Sequence, residues 1–252
     1  MSRLRLSIAV PVKDEEDNIR PLVEACREAL GDLYEQTEII FVDDGSTDAS
    51  LERMQELAAE DPHVRWIQFE ANCGQSAALD AGFRAARGDY VAMIDADMQN
   101  DPADLPAMIE LLDAGECDCV CGIRAKRRDN WLRRISSKIG NGTRNWLTRE
   151  TIKDVGCSIR VFRRELLAGL KMYRGMHRFL PTLLRMEGAR IQEIPVRHHP
   201  RLHGTPKYGV WNRLFRGLRD IFAVRWMQSR HIAYRVKAQS PLAQDQAPPS
   251  AP

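Results

Sequence analysis

The chain has 252 residues, 44% of them apolar and 29% charged, enough to bury one sizeable core with room for a small appendage. Its six cysteines show no disulfide framework, no signal peptide precedes them, and no apolar run reaches the ~18 residues a bilayer-spanning helix needs, so a cytoplasmic chain is expected. The net charge of +2 conceals a separation: residues 1–121 hold 9 Lys+Arg against 27 Asp+Glu (−18), and residues 122–238 hold 28 against 7 (+21). A half this basic calls for an anionic partner, whether nucleic acid, phosphate or a charged membrane.

In chain order, residues 6–12 are an apolar run that reads as a buried strand. An acidic stretch, 14–18, then starts an amphipathic helix to residue 30. A second strand, 38–42, ends in Asp43-Asp44-Gly45-Ser46-Thr47-Asp48, which supplies turn residues and a cap for a helix over 49–59. Residues 64–69 form a third strand and 74–86 an Ala-rich helix, with Ala78, Gly82 and Ala85 permitting close packing on a sheet. A fourth strand, 90–94, runs into Asp95-Ala96-Asp97-Met98-Gln99, and Asp101-Pro102 opens a helix over 103–112. Residues 118–122 are a fifth strand. Repeated βα units give an α/β fold with a largely parallel sheet and right-handed crossovers.

Asp95, Asp97 and Gln99 face one way if the extended chain continues past the fourth strand. They then form an oxygen-rich set at the carboxyl edge of the sheet, where open α/β folds bind ligands. Such ligands suit Mg²⁺ or Mn²⁺, and the absence of adjacent His or Cys argues against zinc. After the first strand the chain reads Pro11-Val12-Lys13-Asp14-Glu15-Glu16, without the glycine fingerprint of dinucleotide enzymes, and there is no phosphate loop. Cys117, Cys119 and Cys121 are expected as buried strand residues, their sulfurs too far apart for one zinc ion.

The second half is less regular. A basic helix is expected over 130–147, strands over 156–162 and 190–198, and short helices over 163–169 and 177–185. A further helix over 210–230 carries Trp211, Leu214, Phe215, Leu218, Ile221, Phe222 and Trp226 on one face, with Arg213, Arg216, Arg219 and Arg230 largely off it. The tail from 239 is rich in Pro, Ala, Ser and Gln and is expected to be disordered. The domain boundaries that follow are 1–208, 209–238 and 239–252.

Several elements together resemble the polyprenyl-phosphate glycosyltransferases of glycosyltransferase family 2, the dolichol-phosphate mannosyltransferase-like group. They are Val10-Pro11-Val12-x-x-Glu15, Val42 to Asp48, Asn72-x-Gly74, Asp95-x-Asp97-x-Gln99, Gly122-x-Arg124, Gly156 to Arg163, Met176-His177-Arg178-Phe179-x-Pro181, and Arg201-x-x-Gly204-x-x-Lys207-Tyr208-Gly209. The Cys157 and His177 versions look most like the bacterial branch that loads undecaprenyl phosphate. The resemblance implies a GT-A fold, a nucleotide-sugar donor and a polyprenyl phosphate acceptor. It implies that Pro11, Glu15, Asp43 and Asp44 line the nucleoside pocket, joined by Asp95, and that Asp95, Asp97 and Gln99 hold a divalent ion. Arg124, Arg201 and Lys207 would contact phosphates. The loop departs from the family where Thr205-Pro206 precedes Lys207, because proline removes a backbone N–H that could meet a phosphate.

A phosphomonoester has a second pKa of about 6, so such an acceptor is a dianion at neutral pH and requires no protein base. The expected reaction inverts the anomeric centre, with the helix over 210–230 attaching to an anionic membrane surface on the cytoplasmic face. The alternative is a hydroxyl acceptor, which would need a catalytic carboxylate such as Asp154. A nucleic-acid module is disfavoured, since interleaved aromatics and a binding motif are absent. Homo-oligomerisation is left open.

Overall fold

A computed structural model describes residues 4–124, 142, 145, 147, 150–200 and 210–232, with 210–218 described as helical backbone only. Seven strands form one sheet: β1 (Leu6–Val12), β2 (Thr37–Asp43), β3 (Val64–Gln68), β4 (Tyr90–Met93), β5 (Cys119–Arg124), β6 (Arg160–Arg163) and β7 (Ile191–Val196), ordered β3-β2-β1-β4-β6-β5-β7. Four of the six pairings are parallel, as expected, but β6 runs antiparallel to both its neighbours, β4 and β5. The expected strand over 156–162 is therefore shorter, and its direction is reversed relative to its neighbours.

Both faces of the sheet are covered, which is why its inner strands read as continuous apolar runs. On one face Leu6, Ile8, Val10 and Val12 of β1 meet Leu22, Val23 and Cys26 of α1 (Ile19–Leu30), Met54 of α2 (Ser50–Glu60) and Met108 of α4 (Leu105–Asp113). On the other, Ala9, Ile40, Val42 and Met93 meet Ala78, Leu79 and Phe83 of α3 (Gln75–Ala85) and Leu180 and Leu184 of α5 (Leu180–Met186). Gly82 lets α3 lie against β1, since a Cβ there would sit 2.9 Å from the Ala9 methyl. The last helix, α6 (Val210–Arg230), packs through Ile221 and Val224 on Met176, Phe179 and Leu183.

The elements expected from sequence are found with shifted ends, and two helices begin as 3-10 turns. Those turns are Pro102–Asp104 before α4, where Asp101 accepts from Ala103 N–H, and Met176–Phe179 before α5. The short helix expected over 163–169 is a single 3-10 turn, Arg164–Leu167. Most of the expected basic helix over 130–147, and all of the tail over 239–252, lie outside the described residues.

The buried cysteines are as expected, but the reason given for excluding a metal was not. Cys119 and Cys121 point to the same side of β5 with sulfurs 3.6 Å apart, close enough to share an ion. What is missing is a third ligand: among the described residues no group of three His, Cys, Asp or Glu converges.

Asp118, just before β5, accepts two hydrogen bonds from the Arg190 guanidinium (2.8 and 2.9 Å) and one from Arg190 N–H. These bonds lower its pKa from 3.8 to about 2. Because the folded value is depressed, the pair contributes stability above pH ~4 and loses it as pH falls from ~4 toward ~2. Asp118→Asn should flatten the acid limb of stability by at most about 1 kcal/mol, Arg190 being largely exposed. Urea midpoints between pH 2.5 and 7 check this, and identical acid slopes in both proteins would refute it.

Candidate active site

The chain steps from β1 to β2 to β3 in one direction, then crosses to β4 on the other side of β1. That reversal opens a crevice at the carboxyl ends of β1 and β4, the place where open α/β sheets bind ligands. The loop after β1 carries Lys13 to Asp17, and the turn after β4 carries Asp95 to Gln99.

Asp95 and Asp97 do come to this edge, but not on an extended chain. β4 ends at Met93, and a turn follows in which Met98 takes a left-handed backbone (φ 58°). Asp97 Oδ1 accepts the Gln99 N–H at 3.1 Å and closes this turn. The chain beyond it pairs with the continuation of β7, where His199 N–H donates to Gln99 C=O and Asn100 bridges His198. Same-side placement by strand alternation is therefore replaced by a turn that holds each carboxylate through its own partner, Asp95 by Gln75 and Asp97 by the Gln99 N–H. Asp97 is buried and Asp95 half-buried. Asp95 Oδ1 accepts from Gln75 Nε2 at 2.8 Å, which fixes the carboxylate against the first turn of α3.

Two neighbouring carboxylates backed by an amide match the hard-oxygen chemistry of Mg²⁺ or Mn²⁺. They are too few for a complete protein cage. This suits an ion that completes its shell with ligand phosphates and water.

Asp43 and Asp44 are both buried and both engaged in shaping the neighbouring loops. Asp43 Oδ1 accepts Ser46 N–H (2.8 Å), and Asp44 accepts the N–H groups of Cys73 (2.6 Å) and Gly74 (3.0 Å). Asp44 thereby draws the β3–α3 loop onto the β2 turn so closely that a Cβ on Gly45 (φ +70°) would lie 2.9 Å from Asn72 N. Glu15 receives Asn18 Nδ2 at 2.7 Å, its own N–H donates to Ser50 Oγ, and Lys13 Nζ donates to Gly45 C=O. Pro11 sits within β1, opposite Val42. The four residues expected around a nucleoside thus surround one loop cluster at the carboxyl ends of β1 and β2.

Arg124 ends β5, and its guanidinium pairs with Asp154 through two bonds of 2.7 and 2.8 Å. Gly156 makes room for it: a Cβ there would lie 2.6 Å from the Arg124 NH2 atom. The phosphate-contacting role expected of Arg124 is therefore met by a guanidinium already neutralised by a carboxylate. Arg201 and Lys207 lie outside the described residues.

Sequence reading missed three residues that organise the site. Gln75 orients Asp95, and the Gly74-Gln75 helix start after an Asn-x-Gly was the available signal. Ser76 contacts His177. Arg160, the largest fully buried side chain, donates to Val155 C=O (2.8 Å) and His177 C=O (2.9 Å), joining the Asp154 loop to the turn before α5. Nothing in an Ile-Arg-Val-Phe sequence distinguishes such an arginine from a solvated one.

Residues 7–170 match Glycosyl transferase family 2. Among curated proteins the chain is 38% identical over 225 residues to the dodecaprenyl-phosphate galacturonate synthase of Rhizobium johnstonii, covering 88% of this chain and 66% of that protein. It is 37% identical over 207 residues to the undecaprenyl-phosphate 4-deoxy-4-formamido-L-arabinose transferase of Edwardsiella ictaluri, covering 81% and 63%. The chain thus spans just under two thirds of the length of these relatives. Among solved structures, glucosyl-3-phosphoglycerate synthase from Mycobacterium tuberculosis in complex with Mn²⁺, uridine-diphosphate and phosphoglyceric acid superposes with a TM-score of 0.66 at 20% identity, over 89% of this chain and 78% of that one. A mannosyltransferase from Pyrobaculum calidifontis in complex with GDP-Man and Mn²⁺ gives 0.64 at 18% identity, over 93% and 66%. At those identities the likeness establishes the fold, and the fold is the GT-A type expected from the resemblance.

Proposed function

This chain belongs to glycosyl transferase family 2, and from that premise we propose that it moves a sugar from a nucleotide-sugar donor to a polyprenyl phosphate. The observation that carries the reading is the placement of Asp95 and Asp97 in the turn after β4, at the carboxyl edge where the sheet order reverses. The names of the two relatives, both transferases of sugars on polyprenyl phosphates, support the acceptor class.

In this reading Pro11, Glu15, Asp43 and Asp44 border the nucleoside, and Asp95, Asp97 and Gln99 hold Mg²⁺ or Mn²⁺. The bound ion would supply charge compensation for the departing nucleoside diphosphate. The chain itself aligns the reactants: Gln75 holds Asp95, Asp44 fixes the loop over the donor, and Arg201 and Lys207 meet the acceptor phosphate. An acceptor phosphate oxygen bonds to the anomeric carbon as the carbon–oxygen bond to the diphosphate breaks. The electron pair leaves with the diphosphate, and the anomeric configuration inverts. No protein base takes part. Asp154 would be the base for a hydroxyl acceptor, yet both of its oxygens already accept from the Arg124 guanidinium, which leaves them engaged rather than turned to an incoming hydroxyl.

Among the described residues no helix is long and apolar enough to cross a membrane. Phe222 and Trp226, one turn apart on α6, are 63% and 64% exposed while Ile221 and Val224 face the domain. With Arg219 and Arg230 also exposed, this outer face supports peripheral attachment to an anionic bilayer, on its cytoplasmic side.

The test is a panel of UDP- and GDP-sugars offered with undecaprenyl phosphate in detergent, with Mn²⁺, with Mg²⁺ and with chelator. One donor should yield a lipid-linked sugar phosphate, with turnover lost on chelation. Product formation on the lipid alcohol but not on the lipid phosphate would replace this reading with the hydroxyl-acceptor one.

A further inference from the structure

Adjacent side chains in the first turn of α3 reach in two directions at the same edge of the sheet. Gln75 reaches Asp95, and Ser76 Oγ lies 2.7 Å from His177 Nδ1. Ser76 thus ties His177 to the same helix start whose Gln75 holds Asp95, and nothing in the reaction described above uses His177.

The segment that carries His177 is clamped from three elements. Gly175 N–H donates to Ser76 Oγ at 3.0 Å, and Arg160 of β6 donates to His177 C=O at 2.9 Å. From α6, Asp220 packs so closely that a Cβ on Gly175 (φ +86°) would meet its Oδ2 at 2.7 Å. Met176 and Phe179 on either side are buried, and His177 itself is half-buried. A ring fixed this firmly through both its main chain and one nitrogen is preorganised to present the other nitrogen.

We infer that Ser76 and His177 form a hydroxyl–imidazole dyad in which Ser76 O–H donates to Nδ1, leaving the proton on Nε2, and that this Nε2–H binds the transferred sugar. The inference rests on the glycosyl-transfer reading above. Ser76 Oγ already accepts the Gly175 N–H, so its own proton is the natural bridge to Nδ1. Burial, reinforced by the charges of Arg178 and Arg160, lowers the His177 pKa to about 3, so the ring stays neutral at physiological pH. A neutral donor suits a sugar hydroxyl, whereas phosphates in this half of the chain have arginine and lysine to meet them.

The experiment has two readouts. Two-bond ¹H–¹⁵N spectra of the full ¹⁵N-labelled chain at pH 7, with the His177 signals assigned by their loss in His177→Ala, should show the Nε2–H pattern, shifting toward a tautomer mixture in Ser76→Ala. An Nδ1–H pattern in the parent protein overturns the dyad. In the transfer assay His177→Ala should lower kcat by about 10- to 100-fold with the acceptor KM unchanged. His177→Gln, whose amide N–H reaches the Nε2 position, should recover most of that loss. The nucleotide sugar that is turned over should also move the Nε2 resonance beyond the shift given by its nucleoside diphosphate alone. Equal activity in the parent and Ala proteins, or no recovery with Gln, overturns the sugar contact. If the parent transfers nothing to any lipid phosphate, the transfer reading fails and takes the sugar contact with it, while the tautomer pattern still decides the dyad.

Discussion

Asp97→Asn is expected to reduce metal-dependent sugar transfer by about 10²- to 10³-fold while leaving the fold intact. Removing one charged ligand from a site that compensates developing charge costs roughly 3–4 kcal/mol of transition-state stabilisation. The isosteric amide keeps an oxygen for the Gln99 N–H, so the turn after β4 retains its closing bond. Asp97→Ala loses that bond as well and should be less stable by about 1 kcal/mol, with the same collapse in rate. Initial rates across an Mn²⁺ titration, read beside thermal melts, separate the two effects. An Asn variant that keeps its rate at every Mn²⁺ concentration would remove Asp97 from the metal site. A variant that unfolds would show that the carboxylate is needed for structure instead.

Arg160→Met is expected to destabilise the protein by about 3–5 kcal/mol, because a fully buried side chain that joins two segments loses both its hydrogen bonds. Two part-buried carbonyls, Val155 and His177, lose their donor, at about 1–3 kcal/mol for each group left unsatisfied. At roughly 2–4 °C per kcal/mol for a domain of this size, the melting temperature should fall by about 6–20 °C. Arg84→Met serves as the control. Its bond to Asp80 is a surface i,i+4 pair, and its loss should leave the melting temperature nearly unchanged. Equal melting temperatures for the two variants would mean that Arg160 is replaceable and that the two loops it joins are held by other contacts.

The first half of the fold was legible because it obeys one rule repeatedly. β1, β2 and β4 are uninterrupted apolar runs, each followed by acids or turn formers and then an amphipathic stretch, and each was found within a residue or two of its expected ends. The carboxyl-edge position of Asp95 and Asp97 followed from that alternation. The turn that closes behind them did not: it takes a left-handed Met98, and a non-glycine residue gives no warning of positive φ. The second half failed for a different reason. β6 is only four residues long, and Gly156 to Ile159 before it are apolar or small, so the run reads as one longer strand, while direction and order leave no trace in periodicity. Asp154 shows the limit of reasoning by residue type. As a carboxylate in a basic region it qualified as a base, and nothing in its sequence context announces the Arg124 guanidinium that both its oxygens meet.

The reversed strand has a further consequence for how the molecule is assembled. β4 and β5 never touch each other, and each has β6 as its neighbour. A nascent chain released at Arg124 would hold a four-stranded piece with one flank of β4 bare, a row of unsatisfied amides open to self-association. Completion waits on about forty more residues, so any attempt to dissect the first half from the rest must supply that wedge or expect a sticky, incomplete sheet.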